Sequence, residues 1–181
     1  MSDAQLPLDH APQAPKRVAD SQVFMSLQMN PEDANPSGDV HGGTIMKLVD
    51  TAAGVCAMRH CRTRVVTATI DSMSFLHPVY VGNVVTLSAS VNDVGNTSLE
   101  IGVRVVAENI RTGEKVHTSS AYLVFVALDD RGKPTKVPPL LVETEDERRR
   151  QAHAKIRRES RKARQEAIKR TMAPGFIAES S

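Results

Sequence analysis

His41-Gly42-Gly43-Thr44-Ile45-Met46-Lys47-Leu48-Val49-Asp50-Thr51-Ala52-Ala53-Gly54-Val55-Cys56-Ala57 is the stretch whose period settles the architecture. Ile45, Leu48, Val49, Ala52, Ala53, Cys56 and Ala57 recur at three- and four-residue spacing, the signature of one helical face. Met46 and Val55 carry apolarity further around the cylinder, so the spacing predicts a helix buried almost all round. Just upstream, Asn30 to Asp39 is dense in Asn, Pro, Asp, Ser and Gly and reads as the loop that feeds this helix.

On either side the period changes to that of strands. Gln22 to Gln28 reads as a short first strand, and Val65 to Leu76, Val84 to Asn92, Leu99 to Asn109 and Lys115 to Leu128 as four long β-branched ones. Val85, Leu87, Ala89 and Val91 alternate with Thr86, Ser88, Ser90 and Asn92, which gives that strand one core face. Asp93-Val94-Gly95-Asn96 and Arg111-Thr112-Gly113-Glu114 suit hairpin turns, so the last three strands form an antiparallel meander. Pro78 ends the strand before them, because proline cannot donate to a ladder. One helix among five strands predicts an α+β fold, a curved antiparallel sheet around a central helix. A single helix cannot cover both faces of that sheet, and self-association is expected to supply the missing cover.

The flanks differ from this centre. Residues 1–20, with Pro7, Pro12 and Pro15 and no sustained period, read as a disordered arm; 21–140 is the folded domain, 141–173 a basic helix and 174–181 a tail. Glu143 to Arg170 carries eleven basic and six acidic residues and no Pro or Gly, with Glu143, Glu145, Asp146 and Glu147 first, where a helix dipole favours acids. Its apolar residues are mostly Ala, with only Ile156 and Ile168 larger, which predicts an exposed or partner-dependent helix with a solvated charged surface. The net charge of +2 is therefore +5 in this segment and −3 elsewhere.

Composition excludes several classes. At 181 residues the chain has room for one domain and tails. Aromatics are 3% with no Trp, which argues against a stacking platform for nucleic acid. The apolar stretch His117 to Leu128 is too short to span a membrane, which takes about 20 residues. Two cysteines make no disulfide framework and no signal-peptide pattern opens the chain, so a reduced, cytoplasmic protein is expected. Cys56, His60 and Cys61 lack zinc-ligand spacing, so no metal is expected, and neither cysteine has a sequence partner that would tune it as a nucleophile. A phosphate-binding loop and a Gly-x-Ser-x-Gly elbow are both absent from the sequence.

Asp50 is the most unusual residue, a carboxylate set in an apolar helix. Burial would raise its pKa and cost free energy unless it is paired. Gly43, seven residues earlier, shares its face about 10 Å away along the axis, so one groove could hold an amide donor and a carboxylate. The residues alone leave two readings for each group: Asp50 as an acid-base group or as a partner of nearby backbone, and Gly42 and Gly43 as an oxyanion site or as a tight turn. Asn35 and His41 are likewise either ligand-facing or ordinary turn residues.

The run Asn35-Pro36-Ser37-Gly38-Asp39-Val40-His41-Gly42-Gly43 through Asp50 resembles the active-site segment of hotdog-fold acyl-CoA thioesterases, nearest the cytosolic acyl-CoA hydrolase branch of brain and bacteria. The likeness continues through Arg59-His60-Cys61, Arg64-Val65-Val66-Thr67-Ala68, Asp71 to Phe75 and Pro78 to Asn83, and covers about Ser21 to Pro139. It implies a sheet wrapped around the helix, dimers joined through their sheets, trimers of dimers, and sites at the dimer interface. It also implies acyl-CoA as substrate, coenzyme A and fatty acid as products, and no separate cofactor. Asp50 matches the family's catalytic carboxylate, as general base or as nucleophile, and Asn35 its partner amide from the opposite protomer. Gly43, with Gly42, would polarise the thioester carbonyl through backbone N–H, and His41, Thr67, Asn96, Thr97 and Ser98 are candidates for coenzyme contacts. The alternatives are a hotdog hydratase or dehydratase, whose histidine-based arrangement Asp50 and Asn35 do not reproduce, and a non-catalytic acyl-CoA sensor.

Overall fold

The computed structural model describes residues 14–171. A short strand β1 (Lys16–Arg17) leads into β2 (Val23–Gln28), helix α1 (Gly42–Cys61), and the long strands β3 (Arg64–Phe75), β4 (Val84–Val94), β5 (Ser98–Glu108) and β6 (Lys115–Leu128). A second short strand, β7 (Leu140–Leu141), precedes the closing helix α2 (Glu145–Thr171). Strands β2, β4, β5, β6 and β3 form one antiparallel sheet in that order, which leaves β3 at an edge.

The expected meander β4–β5–β6 is present, and α1 touches every strand of the sheet. The buried helix face is made mostly of small residues, with Ala52, Ala53, Cys56 and Ala57 at zero exposure. Small side chains let the sheet close tightly on the helix, against Val85, Leu87, Ile101, Val105 and Leu123. Burial is one-sided, however. Gly43, Met46, Lys47, Thr51 and Met58 are exposed and Asp50 and Val55 half-buried, so the prediction of a helix covered all round fails within one chain. The apolarity that Met46, Val55 and Met58 add belongs to a surface that this chain's own sheet does not reach.

Two further expectations change. The arm assigned to residues 1–20 is ordered where it is described: Lys16 and Arg17 pair in parallel with Leu140 and Leu141, and Val18 is buried. The remainder of that arm, residues 1–13, and the tail 174–181 lie outside the described residues. What ties down the ordered part is a buried histidine. The Nε2–H of His60 donates to the Pro138 carbonyl at 3.0 Å, so Nδ1 must accept from Ser21 Oγ, also at 3.0 Å. Burial pushes His60 below its ordinary pKa and holds it neutral.

The basic helix, expected to stand in solvent, is docked on the outer face of the sheet. Thr144 caps it reciprocally with Glu147, the Thr144 hydroxyl accepting from the Glu147 N–H at 3.2 Å and the Glu147 carboxylate from the Thr144 N–H at 3.0 Å. Arg157 pairs with Glu100 at 2.7 Å, Arg158 with Asp93 at 2.7 Å and Arg161 with Asp71 at 2.9 Å. These three carboxylates are only 4, 4 and 8% exposed, so each needs its guanidinium. Register slips aim them. Asn92 is the extra residue between the pairs Val91–Ile101 and Asp93–Glu100, and Asp71 lies within the slip between Ile70 and Ser72. The alternation expected to run on through Asn92 breaks there, and Asp93 consequently turns outward to α2.

Candidate active site

Asp50 lies on the uncovered side of α1 and is half-buried. Thr67, on edge strand β3, donates from Oγ1 to Asp50 Oδ1 at 2.8 Å. Its cross-strand partner Phe125 is buried in the core, so this point of β3 faces α1. Thr67 was expected among coenzyme contacts; the geometry makes it a residue that holds the carboxylate. Oδ2 of Asp50 takes up no hydrogen bond among the described residues.

The loop before α1 is closed on itself. The Asn35 N–H donates to the Asp39 carbonyl at 2.7 Å, and Asn35 Oδ1 accepts from the Ser37 N–H at 2.8 Å and the Asp39 N–H at 3.3 Å. Gly38 sits at φ +90, a left-handed conformation that favours glycine in so tight a turn. The turn thus consumes the carbonyl oxygen of Asn35, while its amide nitrogen has no partner among the described residues. No hydrogen bond joins Asn35 to Asp50 among the described residues; Asp50 lies about 12 Å along the helix axis from Gly42, and Asn35 precedes the helix.

His41 is the N-cap of α1, and its Nδ1 accepts from the Gly43 N–H at 2.8 Å. This corrects the expectation for Gly43, whose amide is already engaged by a side chain, and for His41, which serves the helix end. The Gly42 N–H is the one left without an acceptor among the described residues. The Phe75 ring walls this spot; a Cβ on Gly42 would stand 3.5 Å from it. Asn96 and Thr97 lie in the β4–β5 turn and Ser98 opens β5; the Thr97 carbonyl accepts from Ala127 and the Asn96 carbonyl from Val137. They bind the chain to itself, and among the described residues no hydrogen bond joins them to Asp50 or His41.

Cys56 and Cys61 are both free and buried, and burial pushes their thiols up to about 12 and about 11. Neither is thiolate at neutral pH, which removes them as nucleophiles. Among the described residues no three His, Cys, Asp or Glu side chains come together as a metal site would require.

A helix gripped by one antiparallel sheet, with a carboxylate held on its open side by the edge strand, defines a hotdog-fold protein of the thioesterase type. The thioesterase superfamily profile matches residues 37–114. The uncharacterized acyl-CoA thioester hydrolase YkhA of Bacillus subtilis is 40% identical over 128 residues, 71% of this chain and 74% of that one. An apo, hexameric acyl-CoA thioesterase superposes with a TM-score of 0.82 at 37% identity, over 84% of this chain and 97% of the other. The acyl-CoA hydrolase of Staphylococcus aureus, solved with butyryl coenzyme A, coenzyme A and coenzyme A disulfide, gives 0.80 at 35% identity, over 86% and 95%. That enzyme has also been solved with an aspartate, an asparagine or a threonine replaced by alanine. The chain belongs to the thioesterase superfamily, among its acyl-CoA thioester hydrolases.

Proposed function

We propose that the protein hydrolyses fatty acyl-CoA to free fatty acid and coenzyme A, with Asp50 as general base. The observation that carries this reading is the hydrogen bond from Thr67 to Asp50, which leaves the other carboxylate oxygen open on the uncovered side of α1. The three residues replaced in the Staphylococcus aureus enzyme lie 15 and 17 positions apart, the spacing that separates Asn35 from Asp50 and Asp50 from Thr67 here.

Asp50 takes a proton from water as its oxygen attacks the thioester carbonyl; the C–S bond then breaks and the thiolate leaves, to be protonated as coenzyme A. The developing oxyanion is met by the Gly42 N–H of a second protomer, the amide at the start of α1 left without an acceptor among the described residues. The free amide nitrogen of Asn35 supplies a further donor, to water or to the carbonyl, from a second protomer. Water is the only other reactant. A homo-oligomer with a dimer unit, assembled as a trimer of dimers, fits the unpaired edge of β3 and the hexameric neighbour. Two free, buried cysteines fit a reducing cytoplasm, and no helix among the described residues is long and apolar enough to cross a membrane.

Asp50→Asn keeps the size and the Thr67 contact while removing the base. Its acyl-CoA turnover is expected to fall at least about 100-fold in a correctly assembled protein; turnover at the wild-type rate overturns the assignment.

A further inference from the structure

Phe75 closes β3, and its side chain is 53% exposed although it lies against the start of α1. Its cross-strand partner Ser119 stands an even number of residues from Phe125, the partner of Thr67, on a stretch of β6 that pairs with β5 without a slip. Phe75 and Thr67 therefore leave β3 on the same face. Thr67 meets α1 at Asp50 and Phe75 meets it at Gly42, so one strand reaches both the carboxylate and the free amide. The backbone on either side of this contact is fixed. The Leu76 N–H donates to the Thr118 carbonyl at 2.7 Å, and His41 caps the helix end that the ring faces.

A Cβ on Gly42 would stand 3.5 and 3.6 Å from two carbons of the Phe75 ring, an ordinary van der Waals contact. The space between ring and helix is thus one carbon atom wide. In a helix both the first N–H groups and the Cα–Cβ bonds lean toward the N-terminus, so that space lies alongside the Gly42 N–H. An acyl group whose carbonyl oxygen accepts from this amide has its carbon 2 only two bonds from that oxygen, hence beside the ring. A straight chain presents two hydrogens there; a branched one presents a methyl group that meets the ring carbons.

We infer that Phe75 is a specificity-determining residue, which admits acyl groups unbranched at carbon 2 and turns away those that carry a methyl group there. The inference rests on acyl-CoA hydrolysis as proposed above, with the Gly42 N–H as the oxyanion donor. Gly42 and Phe75 belong to one protomer and together serve the Asp50 of another. The exposed part of the ring is the part that the substrate touches. An apolar wall discriminates one such carbon by about 10- to 200-fold.

Butyryl-CoA and 2-methylbutyryl-CoA differ by that one methyl group, and kcat/KM for each is the measurement. The wild type is expected to prefer butyryl-CoA at least about ten-fold, and Phe75→Ala to bring the two within about three-fold of each other. Phe75→Tyr, which keeps the ring, is expected to retain the wild-type preference. Phe75→Leu, which keeps apolar bulk without the ring, is expected to fall between, and it carries the test if light scattering shows that Phe75→Ala does not assemble. A residue that only held the fold would lower both substrates together and leave their ratio unchanged. Equal use of the two substrates by the wild type, or a ratio that loss of the ring leaves unmoved, overturns the inference while hydrolysis stands. A wild type that hydrolyses neither substrate overturns the proposed function, and this inference with it.

Discussion

Thr67 does for Asp50 what a bulk solvent molecule could not, because it is fixed to the sheet while Asp50 is fixed to the helix. Its hydroxyl is a hydrogen bond to a charged group, of a kind that contributes about 1.5–3 kcal/mol. Thr67→Val is expected to lower kcat about ten-fold or more with KM nearly unchanged, and Thr67→Ser to retain most of the rate; steady-state kinetics with one acyl-CoA decide between them. The second residue that matters singly is His60, neutral in a pocket that supplies one donor and one acceptor. Its folded pKa lies below the ordinary 6.5, so the unfolded chain binds the proton more tightly. This contribution to stability is complete above pH 6.5 and is lost as pH falls from there toward the lowered folded value. Urea midpoints measured from pH 8 to pH 5 are expected to drop more steeply for the wild type than for His60→Gln, which is weaker at neutral pH but lacks this proton linkage. Asp50 was legible because a carboxylate in an apolar run is rare. Thr67 as its partner was not, because a register slip at Ala68 obscures which face of β3 each residue takes.

Helix α2 shows where reading by hydrophobic pattern stops. Judged by apolar content it has almost nothing to bury, and Ala154 is its only buried residue. Arginine supplies the docking face instead: Arg150, Arg157, Arg158 and Arg161 recur at helical spacing around Ala154, and the sheet answers with Ser90, Glu100, Asp93 and Asp71. That stripe was present in the sequence, but its acceptors lie in strands where two of the three carboxylates sit at bulges. Because Glu100 is almost wholly buried, Arg157→Met should cost about 3 kcal/mol, an uncompensated buried carboxylate being far worse than a lost surface pair. Adding Glu100→Gln should recover much of the loss. Equilibrium unfolding of the two variants measures both effects, and an Arg157→Met protein as stable as wild type would place α2 among solvated helices after all.

At the scale of the molecule, the near-zero net charge conceals an attraction between parts. The chain outside Glu143 to Arg170 sums to −3 and that segment to +5, and they meet across the outer sheet face through buried pairs. The open side of α1 and the β3 edge are left for something else. Val66, Ile70 and Phe75 are exposed along that edge, and Met46 and Met58 along the open side of α1. A twelve-residue edge strand paired on one side only, with few charges, is an invitation to pair with a second copy. The one-sided burial of α1, which the periodicity mispredicted, then has a simple physical reason: its sequence is written for two sheets and one chain supplies only one. The same pairing would bring the Asn35 of one protomer to the Asp50 of another, across a gap that the chain alone does not close. Each Asp50→Ala or Asn35→Ala protein is expected to be nearly inactive by itself. Mixed and allowed to exchange subunits, they would regain about a quarter of wild-type activity, since half the dimers are mixed and each mixed dimer holds one site with both residues intact. If both residues of a site came from one chain, no mixed dimer would contain an intact pair, and activity would stay at the level of the separate variants. Val66→Lys with Ile70→Lys, which charges the edge, should abolish the recovery by preventing pairing. Light scattering on the same samples would show monomers where the mixing experiment shows no activity.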